Sequence, residues 1–332
     1  ENLPTVDDEF GLFPHLSFGW VARAARDAGA LVRLWDAPAE KLSYIEVLRQ
    51  VREWGPDCIG FAAHAVQTFR DPLAWAKWFR EDMDVPIVVG GYEAKVYPLE
   101  ILGHGCFDYL CCGEVFQFMG PFLEALRTDT GWENVPDLYW KRDAGWVRNP
   151  PAERIPFSEF PTPDRSIFPN HLYYSHVSQR RNFTIGMSEV GCVYACNFCC
   201  MRNTGFDARD PVDIVDEMEY GRLNLGIREF DWFDPLMFHD RNRMLTMCRE
   251  LSRRRLDVIW SCRSRVDSLT FHRGSCDVDS ELILAMAESG CRPSAARPVS
   301  CTSARMPEPC CSKHAHSAAH RLQAHRAGAP LR

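Results

Sequence analysis

Apolar runs and helical periodicities alternate along the first 127 residues. Phe18, Val21, Ala22 and Ala25 repeat at helical spacing within residues 15–28, and residues 31–35 read as a strand. Residues 44–54 predict a helix with Ile45, Leu48 and Val51 inward. Residues 58–63 form an apolar strand feeding a helix over 72–79, and residues 86–89 form another that ends in Gly90-Gly91. A last unit runs from the strand 108–112 through Gly113-Glu114 into a helix over 116–126. Strands that are apolar throughout, with helices between them, are what a parallel sheet covered on both faces requires. The expectation is a doubly wound α/β domain of the flavodoxin or Rossmann-like kind, which binds ligands beyond the C-terminal strand ends.

Residues 128–180 change character. Asp137 to Val147 reads as a hairpin turning at residues 143–145, and a proline-rich stretch from Pro150 to Pro169 then keeps the chain extended. From residue 181 the βα pattern resumes, with strands over 182–187, 229–233 and 258–262. A helix over 211–223 carries Val212, Val215 and Met218 on one side, and another over 280–289 leads toward a fourth strand after Gly290. Repeated βα units predict a second parallel sheet over 181–291, with functional groups at the C-terminal strand ends.

The chemistry concentrates in a loop at one of those ends. Cys192, Cys196 and Cys199 form a C-x3-C-x2-C triplet. Electron-transfer [4Fe–4S] clusters normally take four cysteines, so three thiolates leave one iron open to an exchangeable ligand. Zinc is the competing reading, because Cys196-x2-Cys199 is half a zinc knuckle, but no second pair lies at the usual spacing. Gly90 and Gly91 allow a ligand to approach the backbone, and the alternative for them is a plain strand-ending turn. No G-x-G-x-x-G run follows any strand, which speaks against a dinucleotide.

The triplet, with Phe198 before its last cysteine and the stretches Gly226 to Asp234 and Asp257 to Asp267 beyond it, resembles the radical S-adenosylmethionine (SAM) superfamily. The resemblance implies that residues 181–291 are a partial radical SAM (β/α) barrel, and that SAM chelates the open iron and is cleaved reductively to a 5′-deoxyadenosyl radical. It also implies SAM contacts at Phe198, at Asp234 and its neighbours for the amino group, and at Arg265 for the carboxylate. A surface pairing of Arg265 with Asp267 is the alternative. The first domain resembles the cobalamin-binding domain of the B12-dependent branch, through Pro56-Asp57-Cys58-Ile59-Gly60-Phe61, Val85 to Tyr92, and Asp108 to Glu114. That likeness implies cobalamin near Gly90 and Gly91, and the lack of a D-x-H-x-x-G motif implies no protein histidine on cobalt. The sequence starts at Glu1, and no clear strand precedes residue 15, so the family's first strand is expected to be missing.

The resemblance implies methylation, ring closure or a related modification of an unactivated carbon. The partners implied are a small-molecule substrate and a reductant such as flavodoxin or ferredoxin. A cobalamin-independent radical SAM enzyme and an inactive cluster-binding fragment are the alternatives; no catalytic side chain is assigned.

Composition changes the picture at one end. After Arg292 there is no Phe, Trp, Tyr, Ile or Asp, and Ala, Arg, Pro, Ser, His and Cys dominate. Such a segment cannot bury enough apolar surface to offset its ordering entropy, so residues 292–332 are expected to be disordered, as a shifted reading frame or truncated gene would leave them. The net charge is −7 although that segment is basic, and an acidic body speaks against a nucleic-acid footprint. No apolar run is long enough to span a membrane. Fifteen cysteines without a signal peptide fit a cytoplasmic protein with cluster ligands and buried thiols rather than disulfides.

Overall fold

The computed structural model describes residues 11–64, 66–143, 145–197, 199, 201–202, 204–264 and 279–292. These fall into two compact units, one of residues 17–155 and one of residues 11–16 with residues from 156 onward. The second begins with the short strand β1 (Gly11–Leu12), which pairs antiparallel with a strand at Tyr174–Ser175.

The 17–155 unit follows the expected alternation. Its elements are α1 (Ser17–Asp27), α2 (Ala37–Glu40), α3 (Tyr44–Trp54), β2 (Ile59–Ala62), α4 (Val66–Asp82) and β3 (Ile87–Gly90). They continue with α5 (Tyr92–Val96), α6 (Pro98–Leu102), β4 (Tyr109–Cys111), α7 (Val115–Thr128), β5 (Leu138–Arg142) and β6 (Gly145–Arg148). The sheet runs β2-β3-β4-β5-β6, parallel as far as β4 and antiparallel beyond it. α3 starts where Ser43 and Glu46 form a capping box and stops at Gly55, whose positive φ of 64° ends the helical path. Ile87, Val89 and Leu110 are wholly buried, and one face packs on Val47, Leu48, Val51 and Phe79. The other packs on Phe118, Phe122, Trp132 and Leu138, with Tyr109 stacked on Trp132 at 4.5 Å.

Three expectations change here. Residues 31–35 form no strand: Leu31 is 88% exposed, and Arg33 and Trp35 donate to Gln50 Oε1 at 3.0 and 3.1 Å instead of joining a ladder. Ile45 faces outward at 69% exposure because the buried stripe is Val47, Leu48 and Val51, and Ile45 lies about 200° around the helix from Val47. The hairpin turns through Asp143 at φ 54° and adds two antiparallel strands to this sheet, with Cys111 opposite Leu138, instead of standing in a linker.

The other unit continues with β7 (Tyr174–Ser175), β8 (Phe183–Gly186), β9 (Glu189–Cys192), β10 (Gly205–Ala208), α8 (Pro211–Asn224) and β11 (Glu229–Trp232). It ends in α9 (Arg241–Arg254), β12 (Ile259–Cys262) and α10 (Ser280–Glu288). β8, β11 and β12 form a parallel sheet in the order β12-β11-β8, and β9 and β10 form an antiparallel hairpin after β8. Phe230, Trp232 and Trp260 turn toward Val215, Met218, Met244 and Leu251 of the helices. Gly186 makes room for this, since a Cβ there would lie 2.5 Å from the Trp232 ring. Val212, expected with Val215 and Met218, is instead 39% exposed at the first turn after the Asp210 cap. At the expected fourth strand, Trp260 bridges Cys291 in parallel, and residues 293–332 lie outside the described residues. Among the described residues, no helix is long and apolar enough to cross a membrane.

Candidate cofactor sites

The three cysteines lie at the tip of the β9–β10 hairpin, which follows directly from the C-terminal end of β8. Cys192 is the last residue of β9 and pairs with Gly205. Gly191 has a φ of 82°, and any side chain there would strike the Gly205 carbonyl, so the strands can close only over glycine. The Cys192 N–H donates to Thr204 Oγ1 at 3.1 Å, and Thr204 Oγ1 donates to the Met201 carbonyl at 2.8 Å. The Tyr194 N–H points at Cys192 Sγ at 3.5 Å, and the Cys199 N–H donates to the Cys196 carbonyl at 3.2 Å. All three thiols are half-buried and outside any disulfide. The donor set suits an iron–sulfur cluster: the loop carries the three cysteines of the triplet and a fourth, Cys200, directly after it, and its residues include no carboxylate or imidazole. Among the described residues no three metal-ligating side chains are gathered around a point.

Beneath the hairpin lies a buried polar assembly. Glu217 of α8 accepts from Arg165 Nε at 2.7 Å and from Arg209 Nη1 at 2.5 Å, and all three residues are almost wholly buried. Arg165 also donates to Thr184 Oγ1 and the Ile185 carbonyl of β8. Burial opposes ionised Glu217, but the two guanidiniums outweigh it and hold the carboxyl below its ordinary range. Next to this triad, Glu189 accepts from the Leu236 N–H at 2.6 Å, while its other oxygen has no hydrogen-bond partner and lies 3.6 Å from the Arg243 guanidinium. Burial, and then the charge of Asp234, push Glu189 up to about 7.

Asp234, expected beside the SAM amino group, is 1% exposed in this structure. Its oxygens accept from the Ser188 N–H at 2.7 Å, the Ser188 hydroxyl and the Glu189 N–H at 3.3 Å. It fastens the start of β9 to the end of β11, and burial raises its carboxyl to about 6 against the pull of those bonds. Phe198 and Arg265 lie outside the described residues. Sequence reasoning missed Arg263, just beyond β12, which grips the buried Asp231 carboxylate with bonds of 3.0 and 2.8 Å and lies 4.0 Å over the half-exposed Phe233 ring. Ile185, Asp231 and Ser261 share a register row, and Ser261 Oγ donates to Asp231 at 2.9 Å. The available signal was Asp231 itself, a charge in the middle of a strand between two buried aromatics.

In the 17–155 unit, Gly90 and Gly91 end β3 at the C-terminal edge of the parallel strands. Gly91 has a φ of 112°, and a Cβ there would lie 2.6 Å from the Ala63 carbonyl. Ala63 donates its N–H to the Gly90 carbonyl at 2.7 Å and accepts from Glu93 at 2.9 Å, so the close approach that needs glycine is between two strand ends. Gly90 has ordinary room for a side chain against Cys111. His64, just past β2, lies with Nε2 3.1 Å from Ser17 Oγ. Tyr92, Val96 and Tyr97 beside this edge expose much of their apolar surface.

Residues 10–116 match the family model of the B12 binding domain. The structure superposes on the radical SAM methyltransferase TsrM from Kitasatospora setae with a TM-score of 0.62 and 18% identity, over 85% of this chain and 56% of that one. With the cobalamin-dependent SAM radical enzyme OxsB the TM-score is 0.64 at 16% identity, over 84% of this chain and 41% of that one. The chain shares the fold of the part of these cobalamin-dependent radical SAM enzymes that it covers. In sequence, the chain is 22% identical over 285 residues to an uncharacterized methyltransferase of Pyrococcus horikoshii, covering 84% of this chain and 59% of that protein. It is 26% identical over 244 residues to the anaerobic magnesium-protoporphyrin IX monomethyl ester cyclase of Rubrivivax gelatinosus, covering 70% of this chain and 43% of that protein. The chain therefore spans about half the length of the curated relatives it matches.

Proposed function

We propose that this chain is a radical SAM protein that holds a [4Fe–4S] cluster through Cys192, Cys196 and Cys199 and modifies an unactivated carbon, as a methyltransferase or a cyclase. The observation that carries the reading is a three-thiol hairpin at the C-terminal end of parallel strands, in a chain whose other unit matches a B12 binding domain. When bound, the cluster supplies the electron that cleaves SAM, and cobalamin supplies a methyl carrier.

The chain's own residues supply placement. Cys192, Cys196 and Cys199 would hold three irons and leave one for SAM, and the Tyr194 N–H toward Cys192 Sγ would offset negative charge on that sulfur. Asp231 holds Arg263 at a strand end, where a fixed cation beside the exposed Phe233 ring is available to an anionic group. In the other unit, the turns that follow β2, β3 and β4 at Ala63, Gly91 and Glu114, with the exposed apolar side chains of Tyr92 and Val96, offer the surface on which a corrin would rest. The reductant, cytoplasmic location and substrate class belong to the same proposal.

Anaerobic reconstitution with iron and sulfide, followed by low-temperature EPR with and without SAM, tests it. The expected result is a [4Fe–4S]+ signal that shifts on adding SAM and is lost in Cys196→Ala. Parallel titration with aquacobalamin should give a saturable change in the corrin spectrum. A cluster indifferent to SAM would remove the enzyme reading, and failure of the corrin titration alone would favour a cobalamin-independent radical SAM protein.

A further inference from the structure

We infer that Arg243 is a positioning residue that clamps both feet of the cysteine hairpin and so sets the direction in which its tip points. The feet are Ser188, immediately before β9, and Arg209, immediately after β10, joined by the Arg209 N–H donating to the Ser188 carbonyl at 2.9 Å. Arg243 bonds to both. Its Nη2 donates to the Ser188 carbonyl and hydroxyl, each at 2.9 Å, and its Nε donates to the Arg209 carbonyl at 3.0 Å. Its third nitrogen faces Glu189, the first residue of β9, at 3.6 Å. One planar guanidinium thus reaches two strands and a carboxylate, which a lysine ammonium cannot do from a single position.

The clamp is itself anchored. Arg243 stands on α9, whose residues Met244, Met247, Cys248 and Leu251 lie in the core under β11 and β12. Asp234, at the end of β11, holds the same Ser188 from another direction. Between the feet and the tip, four register pairs run from Ala208 with Glu189 to Gly205 with Cys192. Three residues of strand place Cys192 roughly 10 Å beyond the clamp. A small tilt at the feet is therefore a displacement of the first thiol, and the remaining two follow it on the loop.

The functional consequence rests on reading the hairpin as the cluster-bearing loop, whereas the clamp can be tested without a cluster. Hydrogen exchange on the full chain without metal should show faster exchange, by about tenfold or more, at the amides of 190–192 and 206–208 in Arg243→Lys, with β11 and β12 unchanged. Leu251→Ala, a cavity in the same helix, should instead loosen the whole unit. If Arg243→Lys does not fold, Ser188→Ala removes the hydroxyl bonds alone and should give the same local pattern more weakly. Unchanged hairpin exchange, or a uniform rise like that of Leu251→Ala, overturns the clamp. After reconstitution, Arg243→Lys should keep its iron content and show an altered SAM-induced shift in g-values, while Leu251→Ala should show the wild-type shift. An identical shift in Arg243→Lys overturns the positioning role; a wild-type chain that forms no cluster defeats the cluster reading and leaves the exchange pattern to judge the clamp.

Discussion

The five-stranded sheet and the three-stranded sheet are braced by different forces. In the 17–155 unit, Ile87, Val89 and Leu110 pack on the aliphatic and aromatic residues of one layer, and Val88, Tyr109 and Cys111 on those of the other. In the other unit, apolar packing covers the helix side, but the end of the sheet that carries the hairpin is held by Arg165, Glu217, Arg209, Glu189, Asp234 and Arg243. Apolar burial is non-directional and tolerates small shifts, whereas charged hydrogen bonds fix both distance and angle. An edge that only has to present a surface can be built the first way. Under the proposed function the hairpin tip has to be aimed, and the second kind of bracing suits it, at the cost of desolvating its charges.

That contrast can be broken at its strongest point by Glu217→Gln. Removing one charge leaves two buried guanidiniums facing a neutral amide, and the loss expected is about 3–5 kcal/mol. Calorimetry should show it as a lowered transition for the unit containing Glu217, with the transition of the 17–155 unit unmoved. Because the folded carboxyl is held below its ordinary value, its contribution is complete above the unfolded pKa and disappears as pH falls through the folded one. A loss shared equally by both transitions would mean the triad is not local bracing.

A smaller effect is expected from Gly91→Ala in the apolar unit. A Cβ 2.6 Å from the Ala63 carbonyl at a φ of 112° should cost about 1–3 kcal/mol, read by urea unfolding. Gly90→Ala, which meets only ordinary contacts, should be near neutral, and equal effects at the two glycines would refute the strand-end explanation.

The smallest effect, and the one with opposite sign, is Glu189→Gln. Its carboxyl titrates near 7 in the fold against an ordinary 4.5, so the folded form holds the proton longer and stability falls as pH rises through that window. The neutral amide keeps the Leu236 bond without the buried charge. Thermal melting should therefore rise by about 2–4 °C at pH 8 and show little difference near pH 4.5. An unchanged gap across this range would place the excess proton elsewhere.

The periodic parts of the fold were legible before any coordinates, for a physical reason. Tyr44–Trp54, Ile87–Gly90 and Glu229–Trp232 each carry their burial in local spacing, so pattern alone finds them. Residues 31–35 misled because an apolar run predicts burial, not a partner strand, and here Gln50 supplies polar partners instead. The β9–β10 hairpin was not anticipated, since Glu189–Cys192 and Gly205–Ala208 are too short and mixed to show alternation. The cysteines stood out because their chemistry is local in sequence. Arg243 and Asp231 did not, because their partners lie 55 and 32 residues away.

The pairing of Gly11–Leu12 with Tyr174–Ser175 also fixes an order of events in synthesis. Residues 17–155 emerge between the two halves of that pair, so they are complete as a sheet-forming segment before β1 meets its partner. At ordinary elongation rates the wait is on the order of 8–30 s, long compared with the folding of a small α/β domain. Among the described strands β1 is thus the first to emerge, yet it is paired only after all five strands of the 17–155 sheet are out, and until β7 appears it remains an unpaired edge within reach of a chaperone or of a neighbouring chain.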